Sequence, residues 1–227
     1  MNRRQASSLR ALAAFCLLAS DTVAQPGTAL LDRWISGQTN LRTWTADCTQ
    51  TRLLKVLSQP LVSNGKVWVR APDRFRWEVG QPAQTIALRQ PDQLLIIYPR
   101  LKRVEKYPLH AAQSGPWKDA LALLEASFPR SRADLESHFA VLSVTETNSF
   151  MQVALQPKSA TARKFMAEIR VTVSTNDCSP VATELRFSDG SSMRNDFTNS
   201  VLNAPLGDDR FEAKLAPDFT TVEPMGQ

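Results

Sequence analysis

The chain has 227 residues, with 27 Lys and Arg against 22 Asp and Glu and a formal net charge of +5. That length suits one large all-β domain or two small ones, with ample chain for a core. The charges are interspersed and no basic block stands out, so the balance is no argument for a nucleic-acid partner.

The first 24 residues read as a secretory signal. Arg3, Arg4 and Arg10 form the basic part, Ala11–Ala19 the apolar part, and Thr22-Val23-Ala24 a cleavage site before Gln25. The apolar run is too short to span a bilayer, and no later stretch is long and apolar enough to do so. The pair Arg3-Arg4 raises a twin-arginine signal, which the following residues do not support. A lipoprotein signal needs a small residue before its cysteine, and Phe15 precedes Cys16. The expectation is therefore a soluble, unanchored export product of residues 25–227. Cleavage takes away three Arg and one Asp, leaving 24 basic and 21 acidic side chains and a net charge of +3. Cys48 and Cys178 remain. In an oxidising compartment they are candidates for a disulfide, worth ~4–5 kcal/mol in the chain-entropy model; two separate buried thiols are the other reading.

Thr28–Ile35 carries Leu30, Leu31, Trp34 and Ile35 at helical spacing, with Thr28 placed to cap it and Gly37 to stop it. Leu41–Lys55 alternates loosely, with Gln50 a polar residue in a strand-like setting. Gln59-Pro60 to Asn64-Gly65 reads as a loop and tight turn. Two strands follow, Lys66–Arg70 and Arg74–Val79, broken at Pro72, which has no N–H for a sheet ladder. Phe75, Trp77 and Val79 share one face of the second, with Arg74, Arg76 and Glu78 on the other. Gln84–Arg89, Gln93–Tyr98 and Leu101–Tyr107 complete a meander of about five strands of ordinary length.

The period changes at Pro116–Phe128, where Trp117, Leu121, Leu124 and Phe128 fall on one helical face. Phe139–Thr145 and Phe150–Gln156 read as a hairpin. Lys164–Ser174, Val181–Phe187 and Ser192–Phe197 are further strands, the last two joined by an Asp189-Gly190 turn. A short strand, Arg210–Lys214, lies in the irregular tail. The expected fold is mainly β: one strongly curved antiparallel sheet of about ten or eleven strands, with two short helices available to cover its open side.

The parts of an active site are missing. There is no Cys-x-x-Cys, no histidine pair at helical offset, no Gly-x-Ser-x-Gly elbow and no phosphate loop. His110 and His138 lie in polar surroundings and read as solvated. Choosing two scattered acids for glycoside chemistry would be arbitrary. Nor do the tryptophans make a stacking platform for single-stranded nucleic acid, because Phe75 and Trp77 face away from Arg74 and Arg76. The expectation is a protein without catalysis and without a metal or other cofactor.

The block Ser63–Ile86, SNGKVWVRAPDRFRWEVGQPAQTI, resembles the strand block of the periplasmic outer-membrane lipoprotein carrier family, the LolA type. That family has an aromatic strand leading to Arg-Pro, then Phe-x-Trp, then Gln-Pro. Asp47-Cys48-Thr49-Gln50 is similar to its Phe-Thr-Gln, Leu94–Leu101 to its Trp-Phe-Tyr-x-Pro strand, and Leu155-Gln156-Pro157-Lys158 to its Leu-x-Pro-Lys. The resemblance implies an unclosed barrel of about eleven strands whose concave apolar surface shelters acyl chains of lipoproteins crossing the periplasm. Burial of acyl chains at about 0.8 kcal/mol per CH₂ makes such sheltering worth several kcal/mol per chain.

It further implies acyl-chain contacts from Val69, Phe75, Trp77, Ile86, Leu94, Ile96 and Tyr98, and lid contacts from Trp117, Leu121 and Leu124. The implied partners are acylated lipoproteins, an inner-membrane lipoprotein-releasing ABC transporter and an outer-membrane receptor, met by a monomer. Where the family has Arg-Pro this chain has Ala71-Pro72, and its basic residue is Arg70, one step earlier and so on the other face of the strand. Arg70 is then the candidate for a release or partner contact. A carrier of another lipid or amphiphile, and a lipoprotein-sensing domain, are the alternatives.

Overall fold

The computed structural model describes residues 26–109, 126 and 128–223. Helix α1 (Pro26–Thr39) leads into β1 (Thr43–Leu53), β2 (Leu61–Arg70), β3 (Arg74–Val79), β4 (Thr85–Arg89), β5 (Gln93–Tyr98) and β6 (Arg103–Pro108). Then come α2 (Arg132–His138), β7 (Phe139–Glu146), β8 (Phe150–Pro157), α3 (Ala160–Phe165), β9 (Met166–Ser174), β10 (Pro180–Phe187), β11 (Ser192–Leu202) and β12 (Thr220–Val222). The strands form a single curved, unclosed sheet in the order β12-β6-β5-β4-β3-β2-β1-β11-β10-β9-β8-β7. Every pairing is antiparallel except β12 with β6. The long return that sets β11 beside β1 joins the two meanders into one wall.

The pairing registers sort side chains into rows across β1 to β5. One row runs Trp44, Val69, Phe75, Arg89 and Leu94, and the next Ala46, Val67, Trp77, Ala87 and Ile96; both face the inside. A third runs Asp47, Lys66, Glu78, Ile86 and Ile97 on the outside. The inside of the β7–β9 half is filled. Leu31, Trp34 and Ile35 of α1 lie in one buried cluster with Met151, Val153, Leu155, Ile169, Val171 and Val173. On the outer face the C-terminal tail covers β4 to β6, where Phe211 packs with Ile86, Leu88, Leu95, Ile97 and Val104.

Several elements differ from the sequence reading. Asn64-Gly65 is no turn but lies within β2, because Gly65 meets β3 at close range: a Cβ there would stand 2.0 Å from the Glu78 carbonyl oxygen. A glycine inside a strand marks such an approach as readily as a turn. Gly37 does not stop α1, which continues to Thr39; its missing side chain admits Cys178, whose Cβ would lie 2.7 Å from a Cβ at Gly37.

Arg210–Lys214 forms no strand. A 3₁₀ turn, Asp208–Phe211, occupies the start of that stretch, and the tail's strand is β12. Two short helices went unread. Each has a serine cap: Ser131 accepts from Asp134 N at 3.0 Å and Ser159 from Ala162 N at 3.2 Å. The expected helix Pro116–Phe128 lies almost wholly outside the described residues, and with it Trp117, Leu121 and Leu124, as does His110.

Candidate functional site

While α1 fills one half of the sheet's inside, the half built on β1–β4, β10 and β11 holds two adjoining cavities. The first, about 310 Å³, is walled by Trp44, Val67, Val69, Phe75, Trp77 and Phe197 with Phe128 over it. The second, about 420 Å³, lies toward the other end of the strands against Leu61, Val79, Ala87, Ile169, Leu185 and Met193. Phe75 and Trp77 line both, so these two side chains stand between them. Each volume falls within the range of about 300–1,000 Å³ usual for ligand sites.

The floor is an aromatic cluster assembled from distant parts of the chain. Trp44 packs edge-on against Phe197 at 4.9 Å between ring centroids, and Phe128 and Trp77 approach Trp44 and Phe197 at 5.4 and 5.6 Å. Trp44 is anchored by donating its indole N–H to Ser200 Oγ at 3.0 Å. The buried Trp77 indole N–H has no hydrogen-bond partner of that kind and faces the Cys48 thiol. Burial pushes that thiol up to about 12, leaving it neutral and inert at ordinary pH. Below it, Gln50 Nε2 donates to Asn195 Oδ1 at 3.0 Å, and Asn195 Nδ2 to Thr183 Oγ1 at 3.1 Å. This ladder satisfies three polar side chains that line the second cavity.

The first cavity also has a basic border. Arg70, Arg74, Arg89 and Arg130 contribute to its lining with Asp134, and Arg70 and Arg74 also pair with Asp208 of the tail. Arg89 is buried in the inner row between Phe75 and Leu94. Arg130 donates to the Pro72 carbonyl at 3.1 Å. The hollow therefore combines apolar walls with basic side chains at one border.

Of the residues named in the sequence reading, Val69, Phe75 and Trp77 line the first cavity. Leu94, Ile96 and Tyr98 share the inner face but lie farther along the sheet, outside the lining of either cavity. Tyr98 neighbours a polar group on β6, where Tyr107 donates to Glu105 Oε2 at 2.6 Å and Arg103 pairs with Glu105 at 2.8 Å. Burial, followed by the hydrogen bond to Glu105, pushes the Tyr107 hydroxyl well above its ordinary range.

Ile86 must be corrected. Its register opposite Glu78 and Ile97 turns it to the outer face, under the tail. Arg70 is also turned outward and is already engaged: it pairs with Asp208, donates to the Leu206 carbonyl and stacks over Phe211 at 5.2 Å. Its guanidinium is a tail anchor rather than a free contact. The disulfide reading is corrected too. Cys48 sits on β1 between Gly65 and Phe197, Cys178 sits beside α1 at Gly37, and both thiols are free.

The sequence reading passed over Trp44, Phe197, Leu185, Met193 and Arg89. Trp44 lies in a stretch whose loose alternation hid its face, and the others gain their place only from strand pairing. Among the described residues, no group of three or more His, Cys, Asp or Glu could hold a metal ion, and no helix is long and apolar enough to cross a membrane.

A curved, unclosed sheet around an apolar hollow defines a class of folds suited to sheltering hydrophobic ligands. Within that class, the chain belongs to the family of the outer membrane lipoprotein carrier protein LolA, whose family model matches residues 39–214. The family is one of binding and carrier proteins. No curated protein matches the chain by overall sequence.

Among solved structures, it is similar to the LolA superfamily protein NE2245 from Nitrosomonas europaea, at 10% identity and a TM-score of 0.44, over 84% of this chain and 99% of that one. It is also similar to the Pseudomonas aeruginosa MucA/MucB complex, at 16% identity and 0.47, over 86% and 62%. A third is the Mycobacterium tuberculosis lipoprotein LppX, at 8% identity and 0.39, over 79% and 96%. These likenesses extend no further than the general course of the chain.

Proposed function

We propose that this protein is a periplasmic carrier that takes up the acyl chains of lipoproteins in its hollow. It would receive them at an inner-membrane releasing complex and deliver them to an outer-membrane receptor. Export would remove residues 1–24. The observation that carries the reading is the pair of cavities parted by Phe75 and Trp77, in a family named for lipoprotein carriage.

Carriage needs burial that is favourable yet reversible, and largely apolar walls supply such burial. The test is isolation of the protein from its host with whatever it has bound. Acylated lipoproteins in the complex, together with their loss from the outer membrane when the protein is depleted, are the expected result. Normal outer-membrane lipoprotein after depletion, with no second carrier present, would defeat it.

The basic border favours one second reading, a carrier for a different anionic amphiphile. Mass spectrometry of the extracted ligand separates the two, since a free lipid lacks the peptide part.

A further inference from the structure

The β1–β2 hairpin carries an exposed apolar patch of which only Leu61 reaches the second cavity. Leu53, Val56, Leu57, Leu61 and Val62 are all exposed, Val56 by 87%. Scattered exposed apolar residues are ordinary, but five within ten consecutive positions form a patch of the kind that marks an interaction site. The patch also projects. Leu61, Val62 and Ser63 pair with β1 but lie beyond the end of β3, whose pairing with β2 begins at Gly65.

We infer that this hairpin tip docks the protein on an anionic lipid bilayer, seating Val56 and Leu57 among the acyl chains while Lys55 and Arg52 meet lipid phosphates. Charge favours that occupant. From Asp47 to Asp73 there is no intervening acidic residue, and the tip itself carries Arg52 and Lys55. Across the adjacent turn, Asp189 is held low chiefly by the Ser191 N–H and hydroxyl, with Lys55 adding a weaker pull. Apolar insertion and basic contact with anionic headgroups reinforce each other at a membrane surface.

Position favours it as well. Arg52 and Leu61, opposite each other in the hairpin, both line the second cavity, so the tip stands at the mouth of the hollow. A docked tip would bring that mouth to the bilayer, so the purpose of docking rests on the proposed carrier role.

The experiment is flotation of the purified protein with phosphatidylethanolamine vesicles that contain or lack phosphatidylglycerol. Uptake of a fluorescent fatty acid in vesicle-free solution is measured alongside. The wild-type protein should float with the phosphatidylglycerol vesicles and less so at high salt. The double variant Val56→Ser, Leu57→Ser should lose binding at least tenfold, and Lys55→Gln about fivefold. Phe165→Ser, which removes an exposed ring elsewhere, should bind as wild type.

All variants should take up the fatty acid equally. Failure of the wild type to float, or flotation of the double variant as well as the wild type, overturns the inference. So does a wild-type dimer that the double variant dissolves, which would make a second copy the occupant. Flotation without fatty-acid uptake would instead defeat the carrier reading and leave the docking intact.

Discussion

Two tryptophans on neighbouring inner rows of the sheet, Trp44 on β1 and Trp77 on β3, offer the sharpest test of where core ends and lining begins. Trp44 is 1% exposed, ringed by Phe128, Phe197 and Leu202, and hydrogen-bonded to Ser200. Trp77 is half-buried, with one side against Phe197 and the other facing both cavities. Truncating a packed aromatic to alanine costs about 3–5 kcal/mol, so Trp44→Ala should fall there. Trp77→Ala removes contacts from one side only and should cost about 1–2 kcal/mol.

Ligand affinity should show the reverse order. An indole buries about 150–250 Å². If a bound chain covers roughly a third of that, the loss at about 25 cal/mol per Å² is ~1.3–2 kcal/mol, or about 10–30-fold. Urea unfolding gives the first quantity, and displacement of a fluorescent fatty acid gives the second. Equal destabilisation by the two variants, with unchanged affinity in Trp77→Ala, would show that Trp77 is plain core and that the hollow is not where ligand lies.

Arg70→Ala should cost about 1–2 kcal/mol and quicken proteolysis of the tail, because it removes the bond to the Leu206 carbonyl and the stack on Phe211. Asp208→Asn should cost little, since that carboxylate is largely exposed. Gly65→Ala forces a methyl against the Glu78 carbonyl and should lower the thermal midpoint by an amount matching about 1–3 kcal/mol or more; unaltered melting would contradict the close approach.

The Cys48 thiol, raised to about 12 by burial, favours the folded state fully below the unfolded thiol's value near 9.0, and that contribution is lost as pH rises toward about 12. Stability measured across that window should fall more steeply in the wild type than in Cys48→Ala. Alkylation near pH 8 should reach Cys178 before Cys48.

Much of the fold could be read from alternation, because a strand with one wet and one dry face announces its period. Phe75 and Trp77 are such a case. Ile86 shows the limit: alternation within β4 told that Ile86 and Leu88 share a face, but only pairing with β3 decides that Ala87, not Ile86, stands beside Trp77. Trp44 and Phe197 show another limit, since their meeting requires β11 to return beside β1 across about 150 residues of intervening chain. Ser131 and Ser159 are different. Their capping pattern was present in the sequence, and the helices were missed because each is a turn or two long.

The hollow itself is better judged by comparison within the molecule than against other proteins. Protein interiors are close-packed, and voids much larger than a water molecule are few. A chain unable to pack would be loose throughout, yet Met151, Val153, Leu155 and Val171 are fully buried under α1 in the neighbouring half of the same sheet. On the inner face, the described residues Val69, Phe75 and Trp77 stay half-covered. Those residues are as large and apolar as the ones that pack tightly, so composition does not account for the difference. Among the described residues, what separates the halves is α1, which seats Leu31, Trp34 and Ile35 over β7–β9. A ligand with a hydrocarbon part would complete on β1–β4 the layer that α1 completes on β7–β9.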